Sequence, residues 1–152
     1  MTAGIIIGLC CCIYENCPNK IVGAFLFGIG LCTICEFKLP LFTGIVGSSN
    51  DIKHLAIILI KNVAGMTIFK LITFFPFLFQ GICCGMLMQI GVAMYRKPYI
   101  TVMCVAAFIL SGFKHCIAMT YYGVSWSLLV IILGNIIGAK IIYYGLKAEG
   151  KA

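Results

Sequence analysis

Apolar residues run along this chain in long, charge-poor blocks, parted by short clusters of turn-forming and polar residues. The partings fall at Glu15-Asn16-Cys17-Pro18-Asn19-Lys20, Gly47-Ser48-Ser49-Asn50-Asp51, Phe75-Pro76, Tyr95-Arg96-Lys97-Pro98 and Tyr122-Gly123-Val124-Ser125. They leave six apolar segments, at about 2–14, 20–47, 52–73, 77–95, 98–121 and 125–146. Several approach or pass the roughly 20 residues that carry a helix across the hydrocarbon core. The first segment is short for a span, and the third and fourth are joined by almost nothing.

The order of small motifs suggests an internal duplication. Gly4-Ile5-Ile6-Ile7-Gly8 recurs as Gly81-Ile82-Cys83-Cys84-Gly85, Pro18 as Pro98, and Asn62-Val63-Ala64-Gly65 as Asn135-Ile136-Ile137-Gly138. The two units run from about 2 to 73 and from 77 to 146, within one membrane domain covering 1–152. Three spans per unit is an odd number, so the second unit would enter the membrane from the opposite side, as in the inverted repeats of transporters.

Two of the segments are interrupted. Glu36-Phe37-Lys38-Leu39-Pro40 puts two charges and a proline inside the second, and Pro40 removes a backbone donor and clashes with the preceding turn. Ser111-Gly112-Phe113-Lys114-His115 sits at the corresponding place in the fifth. Backbone freed at membrane depth persists only against protein or a water-filled cavity, so paired interruptions point to a transport site.

Composition agrees with a membrane protein. Of 152 residues 62% are hydrophobic and 10% charged, too few polar groups to cover a water-soluble domain. The N-terminus has neither a basic region nor a small-residue cleavage site, so it reads as the first span and not as a removed signal. A net charge of +7 raises a nucleic-acid reading, but the basic residues are scattered singly, which excludes a binding stripe. With the N-terminus cytoplasmic, Lys53, Arg96, Lys97, Lys147 and Lys151 fall inside and Lys20 and Lys70 outside, in keeping with the positive-inside rule; the C-terminus is then cytoplasmic too. The expected location is the plasma or inner membrane.

The stretch VGAFLFGIGLCTICEFKLPLFTG at 22–44 resembles the second span of the formate/nitrite transporter family. SGFKHCIAM at 111–119 resembles that family's fifth-span signature, S-G-F-E-H-S-hydrophobic-A-N-M, and LGNIIGA at 133–139 its sixth-span GNIIGG. The resemblance implies a shortened, divergent member: an all-α, aquaporin-like membrane fold of six spans in two inverted three-helix repeats with spans 2 and 5 broken. It also implies a homopentamer in the lipid bilayer, each protomer with its own pore for formate, nitrite, hydrosulfide or lactate. His115 falls on the central pore histidine, Thr43 on the threonine of the re-entrant loop facing it, and Asn135 on the asparagine completing the polar centre. Phe27, Leu31, Phe42 and Phe108 fall on the two apolar constrictions, and Lys70 lies near a family lysine, one residue out of register. The chain departs from the pattern at Lys114, where the family carries Glu, at Met119 for Asn, and at Pro40 for an acidic residue.

Such a site is physically coherent. A bare anion is costly to move into low dielectric and its neutral acid much less so, so a cation and a proton at the narrow point both assist passage. Histidine changes charge near neutral pH, while Thr43 and Asn135 can replace lost hydration with hydrogen bonds. The plainer roles for Thr43 and Asn135 are helix packing or backbone capping, and Asn62 reads as the packing counterpart of Asn135. Lys61 and Lys140 read as snorkelling lysines near helix ends. The ten cysteines lie mostly in apolar runs, where thiols act as small hydrophobes. Met86, Met88 and Met94, with Gly81, Gly85 and Gly91, read as a packing face. The expected function is anion transport without enzymatic chemistry, metal or organic cofactor. The alternatives are a non-conducting membrane subunit and a membrane thiol-redox protein using Cys32 and Cys35, a C-x-x-C pair.

Overall fold

The structure, a computed structural model, describes residues 1–72 and 76–151. Phe75 of the expected Phe75-Pro76 turn, and the end of the first unit at 73, lie outside the described residues. Among those described, all regular structure is helical: α1 (Thr2–Asn16), α2 (Lys20–Glu36), α3 (Phe42–Ile45), α4 (Ile52–Ile72), α5 (Pro76–Ala93), α6 (Pro98–Leu110), α7 (Cys116–Thr120) and α8 (Trp126–Ala148). The order is two long helices, a single turn and a third long helix, then the same again. α4, α5 and α8 are long and apolar enough to cross a membrane; α1 and α6 are apolar but shorter.

Local chemistry explains the boundaries. Asn19 caps α2 by accepting from the N–H groups of Ile21 and Val22 (2.9 and 3.2 Å), and Pro98 starts α6 where a missing donor costs nothing. Asp51 accepts from the His54 N–H at the start of α4 (3.0 Å). The exposed ion pair of Lys97 with Glu36 ties the end of α2 to the start of α6.

Glycine lets the long helices touch. Gly4 lies against the Asn62 main chain and Gly8 against Met66 and Phe69, so α1 and α4 run side by side in the same direction. Gly81 meets Ile131 and Gly134, and Gly85 meets the Asn135 main chain, so α5 and α8 are also parallel. Such close approach suits lipid, where van der Waals packing replaces hydrophobic drive. The expected alignment of Gly4 with Gly81 is corrected by one helical turn: each unit's asparagine packs on Gly4 in the first half and on Gly85 in the second. The end of α8 adjoins the beginning of α1, with Gly145 on Thr2, while Phe69 of α4 meets Phe79 near the start of α5 edge to face (5.9 Å). The two helix pairs therefore point in opposite directions.

The core lies between α1 and α5, where Ile6, Leu9, Ile13, Met86, Leu87 and Ile90 are fully buried, with α2, α6, α8 and the end of α4 closing around it. Outward faces stay apolar, as a lipid-facing surface requires: Ile21, Ile52, Ile60 and Val102 are each at least two-thirds exposed.

Candidate functional site at the interrupted helices

Both interruptions are built the same way. At the end of α2, the N–H groups of Phe37, Lys38 and Leu39 donate to the carbonyls of Thr33, Cys35 and Ile34 (3.1, 3.2 and 2.9 Å). At the end of α6, those of Ser111, Gly112 and Phe113 donate to Ala107, Ile109 and Phe108 (3.0, 3.2 and 2.9 Å). The reversing residue is left-handed each time: Lys38 with φ 48° and Gly112 with φ 70°. The residue after it, Leu39 or Phe113, is buried, as the hydrophobic contact of a Schellman stop requires.

An asparagine then grips each re-entering strand. Asn62 accepts from the Phe42 N–H through Oδ1 (2.9 Å) and donates from Nδ2 to the Pro40 carbonyl (3.1 Å). Asn135 accepts from the Cys116 N–H (2.9 Å) and donates to the carbonyls of Lys114 and Gly81 (2.9 Å each). Both N–H bonds of the Asn135 amide are thus spent on main chain, so its task here is backbone capping, and only the second lone pair of Oδ1 is left over. Asn62, expected to be structural, performs the matching task.

His115 is the residue before α7, and its Nδ1 accepts from the Ala118 N–H (3.4 Å). That bond uses the Nδ1 lone pair, which leaves the proton of a neutral imidazole on Nε2. The ring lies 5.9 Å from that of Phe108. His115, Cys116 and Asn135 line a cleft of about 330 Å³ whose other walls include Gly85, Met88 and Gln89. Its surface is mostly apolar with a few polar groups, and it opens onto the outward face where Val92 and Ile136 are exposed. Cys116 and Gln89 had not been expected there; Gln89 is legible as an amide within the otherwise apolar run of α5.

The other candidates are dispersed. Thr43 is exposed at α3 and is not among the residues lining the His115 cleft. Phe42 contributes its N–H to the Asn62 grip. Leu31 is 54% exposed on α2, and Phe27 lines a separate cleft with Cys11, Tyr14, Glu15 and Ala24. Of the four constriction candidates, Phe108 alone is seen in ring contact with His115. Lys114 places its ammonium 5.4 Å from the centre of the Phe77 ring, a cation–π contact, and its N–H donates to the Gln80 carbonyl (3.3 Å). Lys70 lines a third cleft of about 370 Å³ with Cys11, Cys12, Glu15 and Met66. That cleft lies against α1 and α4 as the His115 cleft lies against α5 and α8. Cys32 and Cys35 are exposed free thiols.

No family model, curated protein or solved structure matches this chain.

Proposed function

We propose that this protein is a membrane channel or transporter for small monovalent anions or their conjugate weak acids, the formate, nitrite, hydrosulfide and lactate class, with His115 as the group the permeant meets. In this reading six spans form two inverted three-helix repeats, both termini are cytoplasmic, and the protein assembles as a homopentamer in the plasma or inner membrane. What carries the reading is one arrangement: two helix interruptions, each gripped by an asparagine through main chain alone, with a histidine presented at one of them beside a mostly apolar cleft. Main chain at such a depth would otherwise lack partners, so a chain that builds the feature twice has a use for it. His115 offers Nε2–H to an anion and, when charged, a cation; Lys114 adds positive potential from the adjacent residue. Phe108 limits the water around the ring. Asn135 and Asn62 hold the strands in place, and in this reading they position the histidine without themselves binding the permeant.

The test is uptake of formate, nitrite and hydrosulfide by proteoliposomes between about pH 5 and 8, where histidine titrates, with His115→Ala as the comparison. Flux that falls, or loses its pH response, in the variant supports the reading. Identical flux and pH response in both proteins removes His115 from the mechanism. The exposure of Thr43, outside the His115 cleft, favours a second reading as a non-conducting membrane subunit. That reading is selected if wild-type vesicles stay impermeable to all three solutes across the pH range while the protein remains folded.

A further inference from the structure

The side of α8 that points away from the molecule changes character along its length. Ile131, Gly134, Gly138, Ile142 and Leu146 are buried and turn one side of the helix toward α5 and α1. On the opposite side, in steps of three and four residues, come Leu129, Leu133 and Ile136, each more than half exposed. Lys140, Tyr143, Tyr144 and Lys147, all exposed, continue the same stripe to the last turn. The stripe is therefore apolar for about two turns, then basic and aromatic for about two more.

The polar part carries charge that no carboxylate offsets. The Lys140 ammonium lies 5.7 and 5.6 Å from the ring centres of Tyr143 and Tyr144, which meet edge to face. Ring faces hold a cation without using its N–H bonds, so those stay available to an acceptor. Among the described residues neither Lys140 nor Lys147 forms an ion pair, and the acid nearest in sequence, Glu149, faces the Met1 ammonium (3.8 Å). That pair also sets the level, with Gly145 against Thr2. The last turn of α8 stands beside the charged N-terminus, at the polar edge of a helix able to cross a bilayer. An amphiphile with a negative headgroup has its two parts in the same order. Its acyl chains match the leucines and isoleucine, its phosphate matches the lysines and phenols, and basic side chains near the membrane surface draw anionic lipid.

We propose that this face of α8 is a binding site for an anionic phospholipid, its phosphate held by the Lys140 and Lys147 ammonium groups and the two tyrosine hydroxyls, its chains lying along Leu133 and Leu129. The proposal needs only that α8 spans the bilayer and does not rest on the anion-transport reading.

The experiment reconstitutes the full-length protein in vesicles of phosphatidylcholine and phosphatidylglycerol, with its single tryptophan moved onto the apolar stripe by Trp126→Phe and Leu133→Trp. One lipid or the other carries brominated acyl chains, and quenching of the tryptophan reports which lipid lies against the stripe. Phosphatidylglycerol should be preferred about fivefold for each lysine engaged. The preference should vanish in Lys140→Gln/Lys147→Gln, persist in Lys140→Arg/Lys147→Arg, and withstand excess inorganic phosphate at matched ionic strength. Quenching by brominated phosphatidylcholine checks that each variant still places α8 in the bilayer, and Lys147→Gln alone, in the last turn, should lower the preference about fivefold. Equal affinity for the two lipids overturns the proposal, as does a preference that survives the loss of the lysines. A preference abolished by inorganic phosphate overturns it in favour of a soluble anion. Absence of quenching by either lipid overturns it in favour of a second copy or another subunit covering the face.

Discussion

Replacing Asn135 by alanine removes one amide that serves three main-chain groups: the Cys116 N–H and the carbonyls of Lys114 and Gly81. Polar contacts between membrane helices average about 0.6 kcal/mol each, and hydrogen bonds in soluble proteins about 1 kcal/mol, so the expected loss is roughly 2–3 kcal/mol. Asn62→Ala removes two such bonds, for about 1–2 kcal/mol by the same reasoning. Asn135→Asp is harsher than alanine, because an acceptor then faces two carbonyls where a donor stood. The order of stability should be wild type, Asn62→Ala, Asn135→Ala, Asn135→Asp, measured by reversible unfolding in mixed micelles with increasing dodecyl sulfate. Loosening of α7 should also speed thiol labelling of Cys116 in Asn135→Ala. An Asn135→Ala protein as stable as wild type, or an aspartate variant more stable than the alanine one, would show that the amide does not hold the strand and would remove the structural basis of the site.

The two reversing residues should answer substitution with opposite signs. Lys38→Gly should stabilise and Gly112→Ala destabilise, each by about 0.5–1 kcal/mol in the same assay, the left-handed penalty being partly offset by unfolded-chain entropy. No heavy atom stands within 4 Å of a Cβ added at Gly112, so that effect comes from backbone alone. Gly85→Ala pushes a methyl into the Asn135 main chain, and Gly4→Ala does the same at Asn62; each should cost about 2–3 kcal/mol, read as a lower unfolding midpoint. The Glu36 carboxylate, hydrogen-bonded to the Lys97 ammonium, raises the lysine pKa above its ordinary 10.5. The pair therefore contributes below that pH and is lost as pH climbs through the raised value. The stability gap between wild type and Lys97→Met should be small, since the pair is exposed, present near neutral pH and closing as pH climbs through the raised lysine value.

Much of this arrangement can be read along the chain. The helix ends fall close to the expected partings, because Pro18, Pro98 and the Gly47–Asp51 and Tyr122–Ser125 clusters are local stop signals. The interruptions after Glu36 and at Ser111 were legible for the same reason: Pro40 and Gly112 constrain backbone whatever surrounds them. Membrane character followed from bulk apolarity, and α4, α5 and α8 have the length to match it. The register of the duplication was not legible, since glycines spaced four apart, as in 4 and 8 or 81 and 85, look the same after a shift of one helical turn. Only the contact with an asparagine from a distant helix fixes which glycine corresponds. The surroundings of Thr43 and Phe27 were hidden for a similar reason, as side-chain neighbourhoods depend on how distant helices dock. Asn135 was legible as important but not in its role, because an amide near a helix break suits a ligand and a carbonyl equally well.

The two asparagines touch only peptide groups. Nothing in their grip depends on which side chains occupy the strands they hold, so Leu41, Phe42 and Thr43 on one side and His115, Cys116 and Ile117 on the other are carried on interchangeable mounts. Substitution of Thr43, Cys116 or Ile117 would alter what the protein presents there while leaving the bend of the chain as it is, whereas His115 also caps α7 through the Ala118 N–H and Leu41 packs on the core. A designer could therefore install a second imidazole at the exposed Thr43 while keeping His115 and the frame as they are.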